Sequence, residues 1–169
     1  ISTNLLLAEE TQALIWRGPM ISGTIHQFWG DVLWGKLDVL LVDLPPGTGD
    51  ATLTVMQALP VSAAVMVTTP QALAGMVVQK AYGLLEKLSI PVIGVVENMS
   101  YYPCPDTGKA HEIFGPSHAE ETARACGAPL SARLPIDPQL AVLADNGQVE
   151  QAPIPEELAA LAERITQSA

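Results

Sequence analysis

The chain has 169 residues, the size of one domain, and 49% of them are hydrophobic, ample for a core. Eighteen acidic against eight basic residues give a net charge of −10, which argues against a large phosphate-backbone interface with nucleic acid. Apolar runs such as Val61 to Val67 stop short of a bilayer-spanning length, ISTNLLLAEE carries no basic leader, and two cysteines make no disulfide framework, so a cytoplasmic protein is expected, with no membrane partner.

Ile1 to Leu7 reads as an apolar strand followed by an acidic turn, Ala8-Glu9-Glu10-Thr11. After LIWR, Pro19 suits the first turn of a helix carrying Ile25, Phe28, Trp29 and Val32 at helical spacing. Arg17 reads as a surface group, with a phosphate or partner contact as the alternative, and His26 as a plain surface residue. Leu37, Val39, Leu40, Leu41 and Val42 form a short apolar run that suits a strand buried on both faces of a parallel sheet. Asp43 ends that run, and a carboxylate at the C-terminal end of a parallel strand suits a hard cation such as magnesium. In the turn that follows, Pro45 and Pro46 fix φ, while Gly47 and Gly49 let backbone N–H groups approach an anion. The same residues are also compatible with a stiff turn after a core strand with a solvated Asp.

Ala51 to Leu59 reads as a short helix ending before Pro60, and Ala63 to Thr68 as a second apolar strand. Thr68-Thr69-Pro70-Gln71 would line a site or cap the next helix, whose Leu73, Met76, Val77, Ala81, Leu84, Leu85 and Leu88 are expected in the core. Ile90 to Val96 is a third strand, with Gly94 inside it, and runs into Glu97-Asn98-Met99-Ser100. The repeat of strand, polar end and helix predicts a parallel sheet with right-handed crossovers, and sets Asn98 on the ligand edge. An Asn amide matches the N6 and N7 edge of adenine by donor and acceptor; a turn or cap role is the plainer alternative. Ala119 to Cys126 reads as a helix closed by Gly127, and Pro129 to Leu134 as a final strand. Asp137 suits the N-cap of a helix over 138–144, and the tail from Ile154 to Ile165 an amphipathic helix with Leu158, Leu161, Ala162 and Ile165 on one face.

WGKLDVLLVDLPPGTGD resembles the signature of the Mrp/ApbC family of deviant Walker P-loop ATPases, which are iron-sulfur cluster carriers. The resemblance extends through LIWRGPM, VTTPQ, GVVENMS, HEIFG and LPIDP, nearly the whole chain. It implies an α/β fold, a P-loop NTPase-like parallel sheet with helices on both faces, forming a single domain over residues 1–169. It further implies ATP bound across a homodimer interface, with Asp43 holding magnesium through water, Gly47 and Thr48 at the γ-phosphate, Asn98 reading the base, and Asp137 in a second base-side loop. Turnover would then drive cluster transfer to apoprotein clients.

Two departures from the family pattern stand out. Many members carry Cys-Pro-x-Cys where this chain has Cys104, Pro105, Asp106 and Thr107, so a cluster bridging two subunits would find two cysteines in place of four, with Asp106, His111 or a small thiol as substitutes. The 169 residues also contain no G-x-x-x-x-G-K-[ST] motif: Gly35-Lys36 is followed by Leu37, and Gly108-Lys109 by Ala110. The chain is therefore expected to be the C-terminal part of an incomplete family fold, lacking the first strand, P-loop and helix, with an open slot in its sheet. The function expected is ATP-dependent cluster binding and transfer. The alternative is a non-catalytic dimerising module; a MinD-like partitioning ATPase is disfavoured by a tail poor in Lys and Arg.

Overall fold

The valine-rich run after Pro91 builds the strand on which the sheet is organised. In the computed structural model, which describes residues 1–7 and 17–168, this strand, β2, runs from Val92 to Pro103 and extends well past the expected end at Val96. Residues 8–16, with the acidic turn and the beginning of the LIWRGPM stretch, lie outside the described residues. The chain falls into two compact units, Ile1–Pro60 and Val61–Ala169.

In the second unit β1 (Ala64–Thr68) pairs parallel with β2, and β4 (Leu130–Pro135) pairs parallel with its other edge. The far end of β2 turns into a hairpin with the two-residue antiparallel strand β3 (Ala110–His111). Side chains alternate across β2. Val96 packs with Ala132 and with Leu161 of α6 (Glu156–Ser168), joined by Val65, Leu134, Leu158 and Ile165. Gly94 faces the same way, where a Cβ would meet Leu161 and Ser131. Arg164 pins α6 down, donating through Nη1 to the Ile93 carbonyl (3.2 Å) and through Nη2 to Ser131 Oγ (3.0 Å). Val95 and Glu97 face the opposite side, toward α4 (Ala119–Ala125). Helices thus flank both faces, as expected.

Helix α3 (Ala72–Lys87) buries Val78 and Leu85, whereas Leu73, Met76 and Val77, expected in the core, are exposed. The helix turns a face one step round from the predicted one, centred on the i, i+7 pair. Ala162 of α6 is likewise exposed, and α5 (Pro138–Asp145) follows β4 as predicted.

The first unit differs more from expectation. Thr3–Leu6 forms a 3₁₀ turn in place of a strand. Helix α1 (Gly18–Gly30) starts with Pro19 in its first turn, and α2 (Asp50–Ala58) begins directly after the PPGTG turn. The two pack together through a 2.7 Å hydrogen bond between the Ser22 and Thr54 hydroxyls. The predicted strand at 37–42 is not formed: the segment is irregular, and Leu41 is 75% exposed. A parallel strand exists only where neighbours take its N–H and C=O groups. Among the described residues none does so here.

Candidate functional site

The candidate residues fall in both units. In the first, Asp43 and Thr48 are exposed, and the Asp43 carboxylate takes no hydrogen bond among the described residues. Gly47 has φ +85°, a left-handed conformation that costs glycine nothing. Gly49 then caps α2 through its carbonyl, which accepts from Leu53 N at 3.0 Å. The first-turn N–H groups of α2 therefore follow directly on the glycine turn.

In the second unit one strand carries two of the predicted residues. Asn98 and Cys104 lie at the middle and just beyond the end of β2. Between them the strand bulges: Glu97 pairs with Arg133 and Tyr101 with Pro135, so four steps along β2 match two along β4. Met99 absorbs the excess at φ +53°, and Ser89 is the other non-glycine residue described at positive φ. Asn98 is exposed, and its Oδ1 accepts from the Met99 N–H at 2.9 Å. Its amide nitrogen has no partner among the described residues, which leaves a donor and an acceptor lone pair for a ligand.

Beneath the bulge sits a buried polar network that sequence reasoning missed. Glu97 is fully buried. Its Oε1 accepts from Ser100 Oγ (2.6 Å) and its Oε2 from the His118 N–H (3.0 Å). Arg133 Nε lies 3.8 Å from Oε1 and donates to Ser100 Oγ at 3.0 Å, while its Nη2 lies 3.9 Å from Glu112. A buried carboxylate without such partners would cost several kcal/mol. A groove of about 450 Å³ opens beside the network, lined in part by Glu112, His118, Arg124 and Arg133. The one sequence signal was a Glu and a Ser three residues apart directly after the valine-rich run; nothing flagged Arg133.

Cys104 opens the hairpin turn between β2 and β3. Its N–H donates to the Lys109 carbonyl (2.9 Å), and its carbonyl accepts from Gly108 N (2.8 Å). The thiol is partly exposed and its pKa lies below the ordinary 9.0, first because the Thr107 hydroxyl donates to it, then because the backbone N–H groups of Thr107 and Asp106 do. Thr107 Oγ1 also accepts from the Lys109 N–H at 3.3 Å within the same turn. Burial instead pushes the Cys126 thiol upward, at the C-terminus of α4. Among the described residues no three His, Cys, Asp or Glu side chains converge as a metal site. Asp137 caps α5, its Oδ1 accepting from Gln139 N at 2.8 Å. Gln71 precedes α3 without a side-chain cap bond, and Thr68, buried, donates to the Thr69 carbonyl.

Residues 1–168 match the ParA family model described as NUBPL iron-transfer P-loop NTPase. The chain belongs to this family. An iron-sulfur cluster carrier protein of Clostridium perfringens is 44% identical over 151 residues, 89% of this chain and 53% of that protein. One of Methanocaldococcus jannaschii is 43% identical over 148 residues (87% and 51%), and one of Deinococcus radiodurans 45% over 158 (94% and 45%). The chain spans about half the length of these relatives. Among solved structures, a nucleotide-binding protein from Archaeoglobus fulgidus in complex with ADP, with cobalt found in it, aligns with TM-score 0.73 and 46% identity over 82% of this chain and 57% of that one. The NUBPL-type assignment agrees with the resemblance read from the motifs. No helix among the described residues is long and apolar enough to cross a membrane.

Proposed function

We propose that this chain belongs to an ATP-dependent carrier that binds an iron-sulfur cluster and passes it to apoproteins, working as a homodimer in the cytoplasm. The observation that carries this reading is the joint placement of an Asn98 amide with spare hydrogen-bonding capacity on β2 and, just past the end of that strand, a partly exposed Cys104 thiol whose pKa is lowered. The names of the relatives, and ADP in the Archaeoglobus fulgidus protein, support the same chemistry.

Asn98 reads the adenine edge, offering the amide donor to N7 and Oδ1 to the N6 amine. Asp137 serves the base-side loop with Oδ2, since Oδ1 is committed to the α5 cap. Asp43 fits magnesium, being an exposed hard oxygen donor, and holds it through water; Gly47 and Thr48 meet the γ-phosphate with the turn before α2. Bound magnesium would neutralise charge developing on the phosphates. The cluster is cargo: Cys104 of each of two copies supplies a thiolate, and the two remaining ligands come from Asp106, His111 or a small thiol.

Anaerobic reconstitution with ferrous iron and sulfide tests the cargo. The expected result is cluster absorbance with up to about two irons per chain, for a four-iron cluster shared by two copies, and its loss in Cys104→Ser. Equal iron in Cys104→Ser would refute the assignment. Calorimetric titration of magnesium-ADP tests the base side, with weaker binding expected in Asn98→Ala. A second reading, a non-catalytic dimerising module, is favoured by Thr107 in place of a second cysteine; dimers that take up neither iron nor nucleotide would establish it.

A further inference from the structure

We propose that Glu97 is a positioning residue that mechanically couples the Asn98 bulge to the Cys104 hairpin, so that what Asn98 binds is felt at the thiol. This inference rests on the roles given above to Asn98 and Cys104, and adds the device that joins them. Three observations carry it. First, the strand between the two residues contains a strained unit: Met99 holds φ +53° inside a β-strand, supported locally by the Asn98 Oδ1 bond to its N–H. Oδ1 is also the atom through which Asn98 would accept from a base, so a ligand at Asn98 competes with, or polarises, the bond that supports the bulge.

Second, Glu97 and Ser100 bracket the bulge and are both fully buried. The Glu97 carboxylate clamps Ser100 across it, and Arg133 of β4 backs the clamp by donating to the same hydroxyl. Third, the clamp reaches the chain that returns from the Cys104 hairpin: Glu97 takes the His118 N–H, and Arg133 lies against Glu112, next to His111, which pairs with Tyr102. On the β4 side, Ile136 N donates to the Tyr101 carbonyl at 2.7 Å. The segment after the bulge is thus held from both sides. With Glu97 as a fixed pivot, a change in the bulge shifts Tyr101 to Cys104 as one body; with the pivot loosened, the change is absorbed at Ser100.

The test is a double-mutant cycle on the 169-residue chain, read as the iodoacetamide alkylation rate of Cys104 and resolved from buried Cys126 by peptide mass spectrometry. Asn98→Ala removes the support of Met99 and is expected to change the Cys104 rate by at least about three-fold, whereas in the Glu97→Gln background the same substitution changes it by less than about 1.3-fold. Thermal melts run alongside, because a purely structural role for Glu97 lowers stability without abolishing this dependence. An Asn98→Ala effect that is absent, or equally large in both backgrounds, overturns the proposal. Should Glu97→Gln fail to fold, Arg133→Lys replaces it with the same two outcomes: Arg133 is 41% exposed, and lysine cannot reproduce the Nε bond to Ser100. Titration of magnesium-ADP in parallel separates the two ideas. Unchanged affinity in Asn98→Ala would end the base-reading role while leaving the cycle to decide the coupling.

Discussion

Gly94→Ala should destabilise the second unit although it adds one methyl group to a strand. In an unconstrained strand alanine would gain about 0.5–1 kcal/mol by restricting the unfolded chain. Here the new Cβ meets Ser131 Oγ and lies 2.9 Å from Leu161 Cδ1. Serine can rotate away only by giving up its bond from Arg164 Nη2, a loss of about 1 kcal/mol for a partly exposed guanidinium. Leu161, 5% exposed between two strands, has little room to retreat, and overpacking of this kind costs about 1–3 kcal/mol. The net expectation is a loss of about 1–3 kcal/mol, measured by urea unfolding at 25 °C with far-UV circular dichroism and accompanied by a drop of about 3–10 °C in Tm. Leu161→Ala, costly by itself, removes the collision, so Gly94→Ala should cost at least about 1 kcal/mol less in that background. If Gly94→Ala proves neutral or stabilising, the close approach of α6 to β2 is misjudged, and with it the account of why glycine stands in this strand.

The thiol pair gives two further expectations. Thr107→Val removes the largest cause of the lowered Cys104 pKa, so the midpoint of its alkylation rate against pH should rise while staying below 9.0, because the Asp106 and Thr107 N–H groups remain; an unmoved midpoint would remove the hydroxyl from the argument. Cys126 should resist alkylation in the folded chain, and because burial raises its pKa, its share of stability holds below pH 9.0 and fades as pH climbs above it, a slope that Cys126→Ala should flatten in alkaline urea titrations. Asp137→Ala should cost about 1 kcal/mol of stability through the lost α5 cap and Asp137→Asn much less; ADP affinity lost with no change in stability would instead make Asp137 a ligand contact alone.

Where local pattern and tertiary demand coincide, the sequence was a sound guide. Proline in the first turn of α1, Asp137 before α5, Gly127 at φ +58° after α4, and the Leu158, Leu161 and Ile165 face of α6 were all legible, because each is decided within a few residues. The failures share a different cause. Leu37 to Val42 has the composition of a buried strand, yet composition cannot supply the neighbour that closes its hydrogen bonds. The seven apolar residues assigned to one side of α3 span more of the helix than the sheet covers, and Val78, outside that set, takes the buried place.

The third strand was expected to end at Val96 and run into the polar Glu97-Asn98-Met99-Ser100. In the structure those polar residues extend the strand. Glu97 and Ser100 satisfy one another inside it, Arg133 completes the set, and β3 takes over pairing where β4 stops. A polar residue inside a strand pattern is ordinarily evidence against the strand, because an unpaired buried carboxylate would be prohibitive. It becomes evidence for a site when partners from three separate segments converge on it. The three segments here are β4, the β3–α4 connection and β2 itself, and no sequence window short enough for periodicity contains all of them. Satisfying Glu97 therefore fixes more than a local contact: it ties the strand that carries Asn98 to the return path of the hairpin that carries Cys104, which is why a single buried carboxylate is the residue on which the coupling between the two should depend.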